Sequence, residues 1–128
     1  MNRSDEKKLV LVVEDSDLVR EHVVNLVESL GYSVLQAANG KEAMEILETQ
    51  SGIDLLFTDV MMPGGISGKE LAIQAKLVAP EMKVLYTTGF SSEGIVSDGI
   101  LDSGIQLLKK PYKRADLKRM LLGLLGPS

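Results

Sequence analysis

Cysteine is absent from this chain of 128 residues, which excludes disulfides and thiolate metal sites and fits a reducing compartment. Aromatic residues are few, 4% of the chain, and they do not cluster, so no stacking platform for nucleic-acid bases is offered. Positive charge is in deficit: 14 Lys and Arg stand against 18 Asp and Glu, for a net charge of −4. Such a balance gives no general attraction to nucleic acid or to an anionic membrane. No apolar run approaches the roughly 20 residues that a membrane span needs. The first residues, Met1 to Lys8, are polar and lack the apolar segment of a signal peptide. Internal repeats and low-complexity segments are missing too. What remains is one compact domain's worth of chain, 45% hydrophobic and able to build a core without staples.

Leu9 to Val13 is a continuous apolar run of the kind found in strands buried on both faces. Leu18, Val19, His22, Val23, Leu26, Val27 and Leu30 then recur at helical spacing, with Ser16 available as a cap and Gly31 as a stop. Ser33 to Ala37 is a weaker second strand, and Asn39-Gly40 opens a helix over Ala43, Met44, Ile46 and Leu47. Ile53 to Thr58 is the third strand. A Gly-Gly loop leads to a helix over Leu71, Ala72, Ala75 and Val78, closed by Pro80. Lys83 to Thr87 and Ile105 to Leu108 read as the fourth and fifth strands. Between them, Ser91 to Gly104 contains Gly94 and Gly99, so the fourth helix is expected to be short or irregular. Leu117, Leu121, Leu124 and Leu125 mark a last amphipathic helix that ends at Gly126-Pro127.

Five strand–helix alternations predict an α/β fold, a doubly wound parallel sheet with helices on both faces. Ligands of such sheets bind beyond the carboxyl ends of the strands, at the switch in strand order. Glu14, Asp15, Asp59, Thr87, Thr88 and Lys110 all fall at strand ends. In a 2-1-3-4-5 order the first and third strands are neighbours, and Glu14, Asp15 and Asp59 converge. Two carboxylates about 4 Å apart repel by roughly 1 kcal/mol in water and roughly 4 kcal/mol at an effective dielectric of 20, so the cluster calls for a cation or a raised pKa. Oxygen donors without sulfur or imidazole point to a hard ion, Mg²⁺ before Zn²⁺. That equipment suits phosphoryl transfer. A carboxylate can itself be the nucleophile, giving an aspartyl phosphate, and Asp59 is the candidate. Lys110 would offer positive charge to the phosphoryl oxygens, and Thr87 or Thr88 a hydroxyl. The plainer reading makes Asp15 a helix cap and Lys110-Pro111 a surface turn; joint placement at four strand ends favours the site.

At these residues the chain resembles the receiver domains of two-component response regulators. The resemblance rests on Val13-Glu14-Asp15, on Asp59 followed by Met62-Pro63, on Thr88-Gly89-Phe90 and on Lys110-Pro111-Tyr112. It covers about residues 8–125, leaving 1–7 as a polar leader or linker and 126–128 as a tail. It implies the flavodoxin-like (βα)5 three-layer sandwich. It implies Asp59 as acceptor of a phosphoryl group from the phosphohistidine of a histidine kinase or phosphotransfer protein. Mg²⁺ would be held directly by Asp15 and Asp59, through water by Glu14, and by the Met61 backbone carbonyl. Lys110 would pair with the phosphoryl group and Thr88, preferred to Thr87 because Gly89 follows it, would move toward it. The usual aromatic switch position of the fifth strand falls at Leu107, so no aromatic in–out switch is expected there. The loop from Pro63 to Gly68 is one residue longer than the common pattern.

Ile100 to Gly104 with Leu108 to Tyr112 is similar to receivers fused behind sensor histidine kinases. Both an excised receiver of that kind, with a membrane-anchored parent, and a stand-alone one fit. The expected setting is cytoplasmic. The domain is expected to catalyse only its own phosphorylation and dephosphorylation, with a homodimer among the partner expectations and no direct nucleic-acid binding or membrane insertion. Rival readings fare less well. A Mg²⁺-dependent phosphatase with an aspartyl nucleophile would need a second aspartate where Met61 stands. A flavin or nucleotide module would need a glycine-rich loop where Glu14-Asp15 would repel phosphate. A degenerate receiver serving as a scaffold does not need the complete residue set. The lone His22 reads as a partly exposed structural residue, Met61-Met62 as loop packing, and the basic run from Lys109 to Arg119 as a solvated or protein-contacting face.

Overall fold

The computed structural model describes residues 7–60, 67–88, 106–109 and 112–126, with Thr88 and Lys109 described by their backbone alone. The elements run β1 (Leu9–Val13), α1 (Asp17–Ser29), β2 (Ser33–Ala37), α2 (Gly40–Thr49), β3 (Leu55–Asp59), α3 (Gly68–Val78), β4 (Lys83–Thr88), β5 (Gln106–Lys109) and α4 (Arg114–Leu125). All strand pairs are parallel, as the alternating pattern predicts, and the order is β2-β1-β3-β4-β5, the one in which Glu14 and Asp59 become neighbours. The segment 91–104, where a short or irregular helix was expected, lies outside the described residues.

Strand alternation divides the core into two layers. Val10, Val12, Leu55, Phe57, Leu85 and Leu108 face α1 and α4, meeting Val23, Val27, Leu117 and Leu121. Leu11, Val13, Leu56 and Tyr86 face α2 and α3, meeting Ala43, Leu47, Leu71 and Ala75. A sheet covered on both sides explains why β1 and β3 are apolar at successive positions rather than at alternate ones. Among the described residues, no helix is long and apolar enough to cross a membrane.

Local chemistry sets the helix ends. The Ser16 hydroxyl accepts from the Val19 N–H at 3.4 Å and Asn39 Oδ1 accepts from the Glu42 N–H at 2.9 Å. Ser67 and Glu70 form a reciprocal capping box, at 3.1 and 3.2 Å. Gly31, at φ 101°, turns the chain out of α1. The buried face of α1 is Val23, Val24 and Val27, whereas Leu18 is 79% exposed, contrary to its place in the periodic pattern. In three strands the boundaries move by one or two residues. β3 starts at Leu55 because Asp54 serves as a connector: its carboxylate accepts from the Leu9 N–H at 2.8 Å and its N–H donates to the Leu9 carbonyl at 2.8 Å. β4 runs on to Thr88 and β5 runs from Gln106 to Lys109, because the two pair to their ends, Thr88 beside Lys109.

Candidate functional site

The register carries the acidic residues to one edge. Val13 pairs with Thr58, so Glu14, one residue on, stands beside Asp59. Asp59 in turn pairs with Thr87. The β1–β2 and β3–β4 ladders extend past the strands, with the Glu14 N–H donating to the Ala37 carbonyl at 3.1 Å and the Val60 N–H to the Thr87 carbonyl at 2.9 Å. By alternation, Asp59 and Thr87 share the sheet face of Phe57 and Leu85, the α1–α4 side. Glu14, Asp59, Thr87 and Tyr112 line one cleft over a floor that includes Val12, Val23 and Phe57. The free space between these side chains is about 10 Å³, room for about one water or a small ion.

The acids are not equivalent. Glu14 is buried, 6% exposed, and its Oε2 accepts the Ser16 N–H at 3.1 Å. Asp59 is half-buried and Asp15 is exposed, outside the cleft lining. Since Ser16 caps α1, Asp15 is not needed as the cap. Among the described residues, no three acidic or other ligating side chains gather closely enough to form a ready-made metal cage. The donor chemistry nevertheless fits Mg²⁺, which typically takes one or two carboxylates and keeps several waters. Two carboxylate residues at one narrow cleft also supply the negative field a cation would neutralise.

That field is visible on Tyr112. Its phenol is pushed up to about 12, first by burial and then by the charges of Glu14 and Asp59. Like an ordinary phenol it is protonated at physiological pH, a neutral hydroxyl beside carboxylates. The ring lies 6.3 Å from that of Phe57, tilted by 52°. Tyr112 entered the sequence reading only as part of a motif; its aromatic position directly before the last helix was the signal available.

The backbone under Asp59 is packed tightly. The Thr58 hydroxyl donates to the Asp59 carbonyl at 3.0 Å, and the Gly68 N–H donates to the Val60 carbonyl at 2.9 Å. A Cβ at Gly68 would overlap the Asp59 carbonyl oxygen and lie 2.9 Å from its carbon. Gly68 is thus a supporting residue whose signal was a glycine directly after a capping serine.

Of the expected site residues, the structure brings Glu14 and Asp59 together and adds Thr87, which is 5% exposed. Thr88 closes β4, its side chain outside the described set, and Met61 and Lys110 lie outside the described residues. Leu107 is half-buried, paired with Tyr86 and packed on the α2–α3 side. His22 is exposed on α1.

Comparison with known proteins gives a consistent result. Residues 10–122 match the family model described as the response regulator receiver domain. The chain is 34% identical over 110 residues to the response regulator receiver protein CpdR of Brucella abortus (strain 2308), covering 86% of this chain and 90% of that protein. It is also 34% identical over 109 residues to the sensor kinase CckA of the same organism, covering 84% of this chain but only 11% of the kinase. A solved receiver domain protein from Clostridium thermocellum superposes with a TM-score of 0.83 at 26% identity, over 92% of this chain and 94% of that one.

Proposed function

The chain belongs to the response regulator receiver family of two-component signalling, and from that premise we propose that Asp59 accepts a phosphoryl group in a Mg²⁺-dependent step. The observation that carries the reading is the pairing of Glu14 with Asp59 at adjacent strand ends, in one narrow cleft with Thr87 and Tyr112. A carboxylate oxygen of Asp59 attacks phosphorus, the P–N bond of a donor phosphohistidine breaks, and its electron pair stays on the imidazole. The donor belongs to a histidine kinase or a phosphotransfer protein.

Glu14, Asp15, Asp59 and the Met61 carbonyl are the residues that would hold the ion, Glu14 through water. Mg²⁺, when bound, would supply positive charge that offsets the negative charge of the carboxylates and of the incoming phosphoryl group. Lys110 holds a phosphoryl oxygen and Thr88 donates its hydroxyl to another, with Thr87 as the neighbouring hydroxyl in the cleft. The functional unit runs over residues 8–125 and works in the cytoplasm, as a stand-alone regulator or as the receiver of a larger kinase. The domain is not an independent enzyme; it acts on its own aspartate and changes what its partner does.

Intact-mass measurement after incubation with acetyl phosphate tests this. One added phosphate is expected with Mg²⁺, none without it, and none in Asp59→Asn. Unmodified protein under conditions that label a control receiver would overturn the proposal, and sustained turnover of a phosphomonoester would replace it with a phosphatase.

A further inference from the structure

Arg20 lies one turn into α1, and its side chain is only 16% exposed. Three guanidinium nitrogens reach three different segments. Nη1 donates to the backbone carbonyl of Glu14 at 2.9 Å, Nε to Gln36 Oε1 at 3.0 Å, and Nη2 to Asp17 Oδ1 at 2.6 Å. One planar fork therefore joins the loop after β1, the β2 strand and the first turn of α1. Lysine offers no such planar fork.

The contact with Glu14 has a consequence beyond packing. The Glu14 N–H is already fixed, donating to Ala37 at 3.1 Å. With its carbonyl held by Arg20, the residue is gripped on both sides. The Glu14 carbonyl and the Asp15 N–H belong to one planar peptide unit, so the same hydrogen bond sets the orientation from which the Asp15 side chain departs. Glu14 Oε2 is held by the Ser16 N–H. The exposed i,i+3 pair with Asp17 would by itself contribute little; its effect is to keep the guanidinium turned toward the loop.

We infer that Arg20 is a positioning residue for the acidic pair: it fixes the Glu14–Asp15 peptide plane and thereby preorganises the carboxylates for a divalent cation. The inference rests on the Mg²⁺ reading given above. Groups that orient metal ligands from outside the ligand set typically change metal affinity by about 10- to 100-fold. The loop peptide here is held by further bonds, so the lower end applies.

The test is Mg²⁺ titration of the whole domain followed by NMR chemical shifts, with thermal midpoints measured in parallel. Arg20→Ala is expected to weaken Mg²⁺ binding about tenfold. Arg20→Lys should recover only part of that loss, because charge returns without the fork. Gln36→Ala should give a smaller loss in the same direction, and the distant Arg119→Ala no loss. Gln36→Ala and Arg20→Lys keep the test decisive should Arg20→Ala fold poorly. Mg²⁺ affinity unchanged in the Arg20 variants, with only the midpoint lowered, would reduce Arg20 to a fold-stabilising residue and overturn the inference. Wild-type domain that binds no Mg²⁺ and accepts no phosphate would instead overturn the functional reading, and this inference with it.

Discussion

Tyr112 holds a phenol in a cleft of carboxylates, and its pH behaviour follows. In the folded chain the phenol is raised from an ordinary value of 10.0 to about 12. As pH rises past 10 the unfolded phenol ionises and the folded one does not, so the unfolded state is favoured. The stabilising contribution is thus complete below pH 10 and is lost as pH approaches 12. Urea unfolding at pH 8 and pH 11 should show a larger loss for wild type than for Tyr112→Phe; equal losses would contradict the account. At this scale the sequence was partly legible. Glu14 and Asp59 were readable because Glu14 follows the apolar run Leu9–Val13 and Asp59 ends a strand that begins Leu55-Leu56-Phe57, and strand ends of a parallel sheet lie together. Arg20 and Tyr112 were not singled out, since what defines them is contact with residues distant in sequence, Gln36 for one and Phe57 for the other. The exposure of Asp15 was equally hidden, because it depends on the turn between β1 and the Ser16 cap.

The start of α3 shows how an element positions a residue it does not contain. Ser67 and Glu70 cap the helix, and the capped end lies with Gly68 against the Asp59 backbone. Gly68→Ala should therefore cost about 1–3 kcal/mol, the range for an inserted methyl in a tightly packed place. The neighbouring atoms are backbone and cannot swing aside. It should also impair phosphorylation of Asp59 more than Gly123→Ala, a helical glycine with open space where its Cβ would stand. Chemical denaturation and the acetyl phosphate assay check both parts, and wild-type behaviour of Gly68→Ala would refute them. Strands and caps were legible because buried parallel strands and capping residues have strong local signatures. Leu18, 79% exposed, shows that periodicity reports a helix face but not how far along that face burial extends.

At the scale of the whole molecule, binding to the folded state alone raises stability by mass action. Mg²⁺ at ten times its dissociation constant should add about 1.4 kcal/mol, a rise in thermal midpoint of roughly 5 °C for a domain of this size. Asp59→Asn should show a smaller rise, and an equal rise would place the ion elsewhere. The strand order carries a consequence for how the chain assembles. β2 and β3 both lie against β1, β4 lies against β3, and β5 against β4. Every strand after the first is thus laid beside one already synthesised. Each later strand has a partner already made when it leaves the ribosome, while β1, β3 and β4 each keep one edge open until the next neighbour is synthesised. Glu14 and Asp59 belong to β1 and β3, so both halves of the acidic edge have been synthesised before β4 and β5.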